Sequence, residues 1–205
     1  MRSACNPGSQ LTELPLFALR TVLFPGGRLA LRVFEKRYRD MLAVCLKQDR
    51  PFGFCLIGAG DEVGSAAEPH AIGTSATVSE CNATQSGILQ IVVRGGWRFR
   101  VARTRVQPDQ LIMAEVEPLP AETAAQVDPA YHGLRDLLAG IIAQLGDHFY
   151  VGPVKLDDAL WVAYRLAEFL PLTNALKQAL LEETGANRKL GLLAVGWDRV
   201  AERMH

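Results

Sequence analysis

Residues 14–46, LPLFALRTVLFPGGRLALRVFEKRYRDMLAVCL, contain the feature that most constrains this chain: a Phe24-Pro25-Gly26-Gly27 turn between two extended apolar runs. Proline presets φ near about −65°, and a glycine takes the positive φ that lets a backbone reverse. The runs at 14–19 and 29–34 therefore read as strands, and the charged segment from Glu35 as a helix. From Tyr38 the apolar side chains recur at Met41, Leu42 and Cys45, which is one helical face, while Glu35, Lys36, Arg39, Asp40 and Lys47 point elsewhere. A helix with one apolar face must bury it, so the unit predicted is strand, turn, strand and a helix lying over a sheet.

Further strands follow. Pro51 ends the helix, because the residue before a proline avoids the helical conformation, and 52–57 reads as a short buried strand. The glycine- and alanine-rich 58–69 reads as a mobile surface loop. Ile72, Thr74, Ala76 and Val78 then alternate with smaller or more polar residues, 81–87 reads as a return turn, and 88–93 is a continuous apolar strand. Trp97, Phe99 and Val101 alternate with Arg98 and Arg100 in a separate strand beyond a Gly95-Gly96 bend, with the arginines directed away from the aromatic core side. Ile112, Ala114 and Val116 mark the last strand. Short strands, glycine turns and a single helix predict a small closed or nearly closed barrel.

After Pro118-Leu119-Pro120 the period changes. Residues 122–127 read as a linker, and Asp128-Pro129 as an N-cap with proline in the first helical position. Apolar stripes follow at Leu134, Leu138, Ile141 and Leu145, then at Leu156, Leu160, Ala163 and Ala167. Gly146 is a helix stop, Thr173 or Asn174 caps a third helix, and Gly185 reads as its left-handed terminus. Leu190, Leu193 and Trp197 share one face of a fourth. Four such segments can bury their stripes against one another as a helical bundle.

The 22 basic and 22 acidic residues balance, which gives no global preference for polyanions or acidic membranes. The four cysteines are scattered without a C-x-x-C, as reduced core thiols are. Residues 1–10 read as a loose polar leader, and no apolar run approaches the ~18 residues of a membrane span, so a soluble cytoplasmic protein with no membrane contact is expected. No G-x-x-x-x-G-K-[ST] occurs, and the five lysines lie outside any glycine-rich loop. Ser75, in Gly73-Thr74-Ser75-Ala76, lacks the second glycine of a nucleophile elbow, and His70, His132, His148 and His205 lack metal-ligand spacing. Asp157-Asp158 reads as the acidic opening of a helix, and Tyr38, Trp161 and Trp197 as core. No catalytic residue, cofactor or metal is expected.

The stretch PLFALRTVLFPGGRLALRVFEKRYRDML resembles the opening motif of the amino-terminal domain of Lon proteases. There a P-L-F segment, a V-L-F-P-G turn and an I-F-E-x-R-Y helix entry follow at these spacings. Arg94 to Val101 is similar to the domain's G-x-x-R-F-R-V signature, and Phe52-Gly53 and Ile72-Gly73-Thr74 to its middle strands. Residues 161–171 and 177–182 look like its helical part, whereas Ala18 and Ala30 stand where the family tends to have proline. The resemblance implies an α+β fold: a small PUA-like β pseudo-barrel with one covering helix over 10–120, then a helical bundle over 127–205. Full Lon proteases continue into ATPase and protease modules, and this chain is expected to be a stand-alone form without them.

The function so implied is a non-catalytic recognition module that binds unfolded or damaged polypeptide segments, or a protein partner, through exposed apolar surface expected between barrel and bundle. The alternative is RNA binding, as in some PUA-like domains, through the arginine-rich strand at 94–105. The candidate partner-binding residues are Phe24 and Pro25 in the turn and Arg94, Trp97, Arg98 and Arg100 in that strand.

Overall fold

The computed structural model describes residues 11–83, 88–145 and 153–204. The leader at 1–10, the tip of the return turn at 84–87 and the stop at Gly146 lie outside the described residues. Two compact units make up the chain, Met1–Ala121 and Glu122–His205. The first contains β1 (Thr12–Leu19), β2 (Arg28–Val33), α1 (Lys36–Gln48), β3 (Phe52–Ala59), β4 (Glu68–Pro69), β5 (Ile72–Ala83), β6 (Leu89–Val106) and β7 (Ile112–Pro118). Its sheet runs β1-β7-β6-β5-β3 and closes on itself, because β1 also pairs in parallel with β3, Leu16 to Gly53 through Leu19 to Leu56. Closure accounts for the uninterrupted apolar reading of 52–57. Phe52 and Phe54 join Tyr38, Met41 and Leu42 beneath α1, while Cys55 faces the opposite cluster around Leu16, Phe99 and Val116.

The two strands expected at 88–93 and 97–101 are one. β6 is 18 residues long and pairs with β2 over its first half, with β7 over its second, and with β5 along the other edge. The Gly95-Gly96 bend is a bulge inside it, where the register with β5 shifts between Thr74 and Ala76. The proline turn docks at this bulge. Gly26 has φ +72°, its N–H donates to Gly95 O at 2.9 Å, and Gly95 N–H donates to Gly27 O at 2.9 Å. β5 also runs further than expected, with Cys81, Asn82 and Ala83 paired to Ile91, Gln90 and Leu89. Ser75 is structural, its hydroxyl accepting from Trp97 N–H at 2.9 Å.

The loop read as mobile is tied down over residues 60–66. Arg20 donates to Gly60 O at 3.0 Å and pairs with Asp61 at 2.9 Å, and its backbone N–H donates to the Glu62 carboxylate. Arg37, only 5% exposed, donates to Glu62 O at 3.2 Å and Gln110 O at 2.9 Å, and Ala66 N–H donates to the Gln110 side chain at 3.2 Å. Backbone groups that the loop's own sequence cannot satisfy are thus met by side chains from three other segments.

The second unit holds a 3-10 turn (Pro129–Tyr131), α2 (His132–Leu145), α3 (Ala159–Phe169), α4 (Asn174–Glu182) and α5 (Ala186–Met204), with α3 packed on the other three helices. The caps follow the sequence. Asp128 accepts from Ala130 N–H at 2.9 Å, Asp158 from Leu160 N–H at 3.0 Å, and Thr173 from Leu176 N–H at 3.3 Å. Because Asp158 caps α3, Leu156 lies ahead of the helix and outside its stripe. Gly185 does not take the left-handed conformation; α4 instead ends at Glu183 in extended geometry, whose carboxylate accepts from Thr184 and Gly185 N–H. The Gly185 hydrogen bond foremost, then one from the Arg188 side chain and that of Thr184, hold the Glu183 carboxyl below its usual range against its partial burial. Residues 122–127, expected as a linker, are bound to this unit through Ala159 N–H to Ala125 O at 2.8 Å and Asn187 to Gln126 O at 2.9 Å.

One group makes this unit sensitive to pH. Burial pushes the Glu168 carboxyl up to about 7, opposed by Arg165, which lies 2.9 Å away, and by Lys177. Its folded value lies above its unfolded value of 4.5, so between those values the folded state holds a proton that the unfolded chain has released. The contribution to stability is therefore greatest at the acid end and falls as pH rises through the window. Helical melts are expected at higher temperature at about pH 5 than at about pH 8, and Glu168→Gln is expected to flatten that slope. An unchanged slope in the variant would assign the effect elsewhere.

Candidate functional site

β2 ends at Val33 and the chain turns into α1 through Phe34 and Glu35, which leaves the Phe34 ring 57% exposed. Across from it the pinned loop presents Val63, 56% exposed. Between them lies a groove of about 200 Å³ with Phe17 and Tyr38 at its floor and Leu19 and Leu31 on its walls. Phe17 and Tyr38 pack with ring centroids 4.2 Å apart and planes tilted by 34°, and the Arg37 guanidinium sits 4.6 Å from the Tyr38 ring centre. Burial raises the Tyr38 hydroxyl above its ordinary value, with Arg37 opposing. The groove's acidic residues are already engaged. Glu35 pairs with Arg37 at 3.0 Å, and Glu62 accepts from the Arg20 amide.

The groove coincides with a break in strand pairing. Among the described residues β2 pairs with β6 alone, and β1 pairs with β7 only as far as Leu16. Residues 17–19 are paired with β3, and Phe17 and Leu19 among them line the groove. A second hollow, of about 300 Å³, lies where Met41, Val44 and Gln48 of α1 face Pro15 and Met113. Its charged lining is Glu13, Asp40 and Asp109 with Arg37 and Arg50, three acids to two bases.

The residues singled out from the sequence do not form one surface. Phe24 is 1% exposed, plugging the barrel instead of presenting a ring, while Pro25 is half-buried. Arg98 is 5% exposed, so the expectation that the strand's arginines share a solvent face fails at this position. The bulge resets the alternation, leaving Trp97 at 37% exposure with its ring edge-on to Phe99 at 6.0 Å. Arg94 and Arg100 are exposed. Arg100 lies across from Glu117 and Arg103 across from Glu115, and Arg105 pairs with Glu13 at 2.7 Å. Carboxylates therefore offset the far half of the arginine strand, which removes the open cationic track that RNA requires.

Sequence reasoning missed Phe34 and Val63 because one sits at a strand end and the other in a loop. Arg37 did leave a signal, a charge in register with Met41 and Cys45 on the apolar face of α1. Among the described residues no three His, Cys, Asp or Glu side chains are grouped to hold a metal. The Cys55 thiol is fully buried, and burial pushes it up to about 12, which makes it a packing group and not a nucleophile. No helix among the described residues is long and apolar enough to cross a membrane.

The chain is similar to two solved structures over almost its whole length. The first is a Lon N-terminal domain protein from Xanthomonas campestris, 35% identical with a TM-score of 0.75, the match covering 90% of this chain and 98% of that one. The second, the N-terminal domain of a Mycobacterium avium complex Lon protease, is 19% identical with a TM-score of 0.63, covering 89% and 96%, and shows the same fold. No curated protein sequence matches the chain. The family model for the ATP-dependent protease La (LON) substrate-binding domain matches residues 13–194, a span that includes the docked proline turn, the bulged β6 strand and α2 to α4. This chain belongs to the LON substrate-binding domain family.

Proposed function

We propose that the chain is a non-catalytic recognition module that binds non-native polypeptide segments in the groove between Phe34 and Val63. The supporting observation is the groove itself, an aromatic floor beside a strand edge unpaired among the described residues, in a chain whose family is described by substrate binding. Segments of unfolded chain offer apolar side chains and free backbone groups, and this groove is complementary to both. Covering Phe34 and Val63 would gain about 1.5–3 kcal/mol for each side chain fully removed from water.

Fluorescence anisotropy against a labelled, permanently unfolded polypeptide tests the reading across a salt series. Binding is expected to persist as salt rises, and Phe34→Asp with Val63→Asp is expected to weaken it by about tenfold or more, as the loss of two apolar contacts requires. Both side chains are exposed, so the double variant should keep its fold, which circular dichroism checks. Undiminished binding by that variant would remove the groove from the account. Labelled single-stranded RNA should bind weakly, and a steep log-log salt slope with RNA would revive the arginine strand.

A further inference from the structure

We propose that the groove takes an extended segment of alternating apolar and acidic residues, added as a new strand along the open edge of β2. This deepens the polypeptide-binding reading above and rests on it. Three observations carry it. The first is the edge: among the described residues β2 has β6 on one side and no strand on the other, while across the groove the backbone of Ala18 in β1 is hydrogen-bonded to Tyr38. The available ladder is that of β2, and an extended peptide satisfies it by main-chain hydrogen bonds.

The second is the period. Along β2, Leu29, Leu31 and Val33 are turned to the core side, and Arg28, Ala30 and Arg32 are exposed. A strand laid beside β2 inherits that alternation, so every other side chain enters the groove against Leu19 and Leu31 and the rest stand beside the arginines.

The third is charge. Arg28 lies directly opposite Arg94 in the β2–β6 ladder, and Arg32 lies opposite Gln90. The carboxylate described on this face is Glu80, bound to Arg28 at 2.5 Å. Two like charges across a ladder destabilise it, and Glu35 and Glu62 at the groove are engaged by Arg37 and by the Arg20 amide. The face beside the open edge therefore carries an excess of cations, complementary to carboxylates on the exposed side of an added strand. The same excess disfavours lysine-bearing segments, which supplies selectivity that apolar contact lacks.

Anisotropy of the full 205-residue chain with fluorescein-labelled synthetic peptides tests this. The probes are a peptide alternating leucine with glutamate, its glutamine and lysine counterparts, and two forms of the glutamate peptide N-methylated on alternate residues, one form for each edge. An unfolded polypeptide and a single-stranded RNA complete the set. The glutamate peptide is expected to bind about five- to tenfold tighter than the glutamine one at ~0.1 M salt. Methylation of one edge, and not of the other, should abolish binding. Arg32→Glu should reverse the preference towards the lysine peptide.

Equal affinity for the glutamate and glutamine peptides, or a preference untouched by Arg32→Glu, overturns the proposal. If the unfolded polypeptide still binds in that case, the broader reading stands. If no polypeptide binds, both fall. RNA that binds as tightly as the glutamate peptide with the same dependence on Arg32 would replace the strand slot with a polyanion patch.

Discussion

Replacing Gly95 with alanine is expected to destabilise the barrel unit by about 3 kcal/mol or more, at the upper end of what overpacking costs. A β-carbon there would lie 2.2 Å from Phe24 O and 3.0 Å from Phe24 C, both backbone atoms. Neither neighbour can yield by rotating a side chain. The turn is fixed to the strand by the paired hydrogen bonds between Gly26, Gly27 and Gly95, and Phe24 is anchored in the interior. Relief therefore requires the turn to lift off the bulge, exposing Leu23 and Phe24, which are 3% and 1% exposed in place. Gly140→Ala in α2 is the matched control, since nothing lies within 4 Å of its added carbon and alanine is the better helix former by roughly 1 kcal/mol. Urea denaturation of both variants, with hydrogen exchange of the β2 and β6 amides, checks the pair. A Gly95→Ala protein within about 1 kcal/mol of the parent would show that docking of the turn contributes little to the barrel.

Lys189→Met is expected to cost the helical unit about 3–5 kcal/mol, the range for removing one partner of a buried ion pair. Lys189 is 0% exposed. Its ammonium donates to Leu180 O at 2.7 Å and to Glu183 O, pairs with Glu122 at 2.9 Å, and lies 4.9 Å from the centre of the Tyr164 ring. The Tyr164 hydroxyl donates to the other oxygen of the same carboxylate. One cation thus closes the C-terminal end of α4 and ties α5 to the segment that enters the unit at Glu122. Methionine keeps most of the volume but leaves a carboxylate and two carbonyls short of a donor. Glu122→Gln added to Lys189→Met should recover about 1–2 kcal/mol, because the uncompensated charge is the larger part of the cost. Urea titrations followed by the helical circular dichroism signal report both steps. A single variant with an unshifted midpoint would mean that the ammonium only breaks even against its desolvation.

Much of the barrel was legible because its determinants are local. The Pro25-Gly26 turn, the apolar run of β1, the period-two runs of β5 and β7, and the apolar face of α1 are each written within a few residues, as are the caps at Asp128, Asp158 and Thr173. The errors came where a distant partner decided the outcome. Glycines 95 and 96 read as a break between strands, yet they are a bulge, because β5 continues alongside and the proline turn docks on them. Residues 60–66 read as mobile, yet Arg20, Glu35, Arg37 and Gln110 satisfy their backbone. Gly185 read as a left-handed terminus, yet Lys189 supplies the donors that would have favoured one.

The candidate site followed the same division. A charge in register with an apolar helical face went unread at Arg37 and Lys189, and the structure buries both with partners. Alternation suggested that Arg98 was solvated; the bulge buried it and left Trp97 at the surface. By itself the sequence determined the element types, the turn chemistry and the family, because propensity, period and motif spacing act over short stretches. Only the tertiary structure decided that β1 closes on β3, that β2 keeps an open edge, and that Phe34 and Val63, 29 residues apart in sequence, frame one groove. Strand pairing and burial are relations between distant segments, and a one-residue change of register exchanges the buried face of a strand for the exposed one.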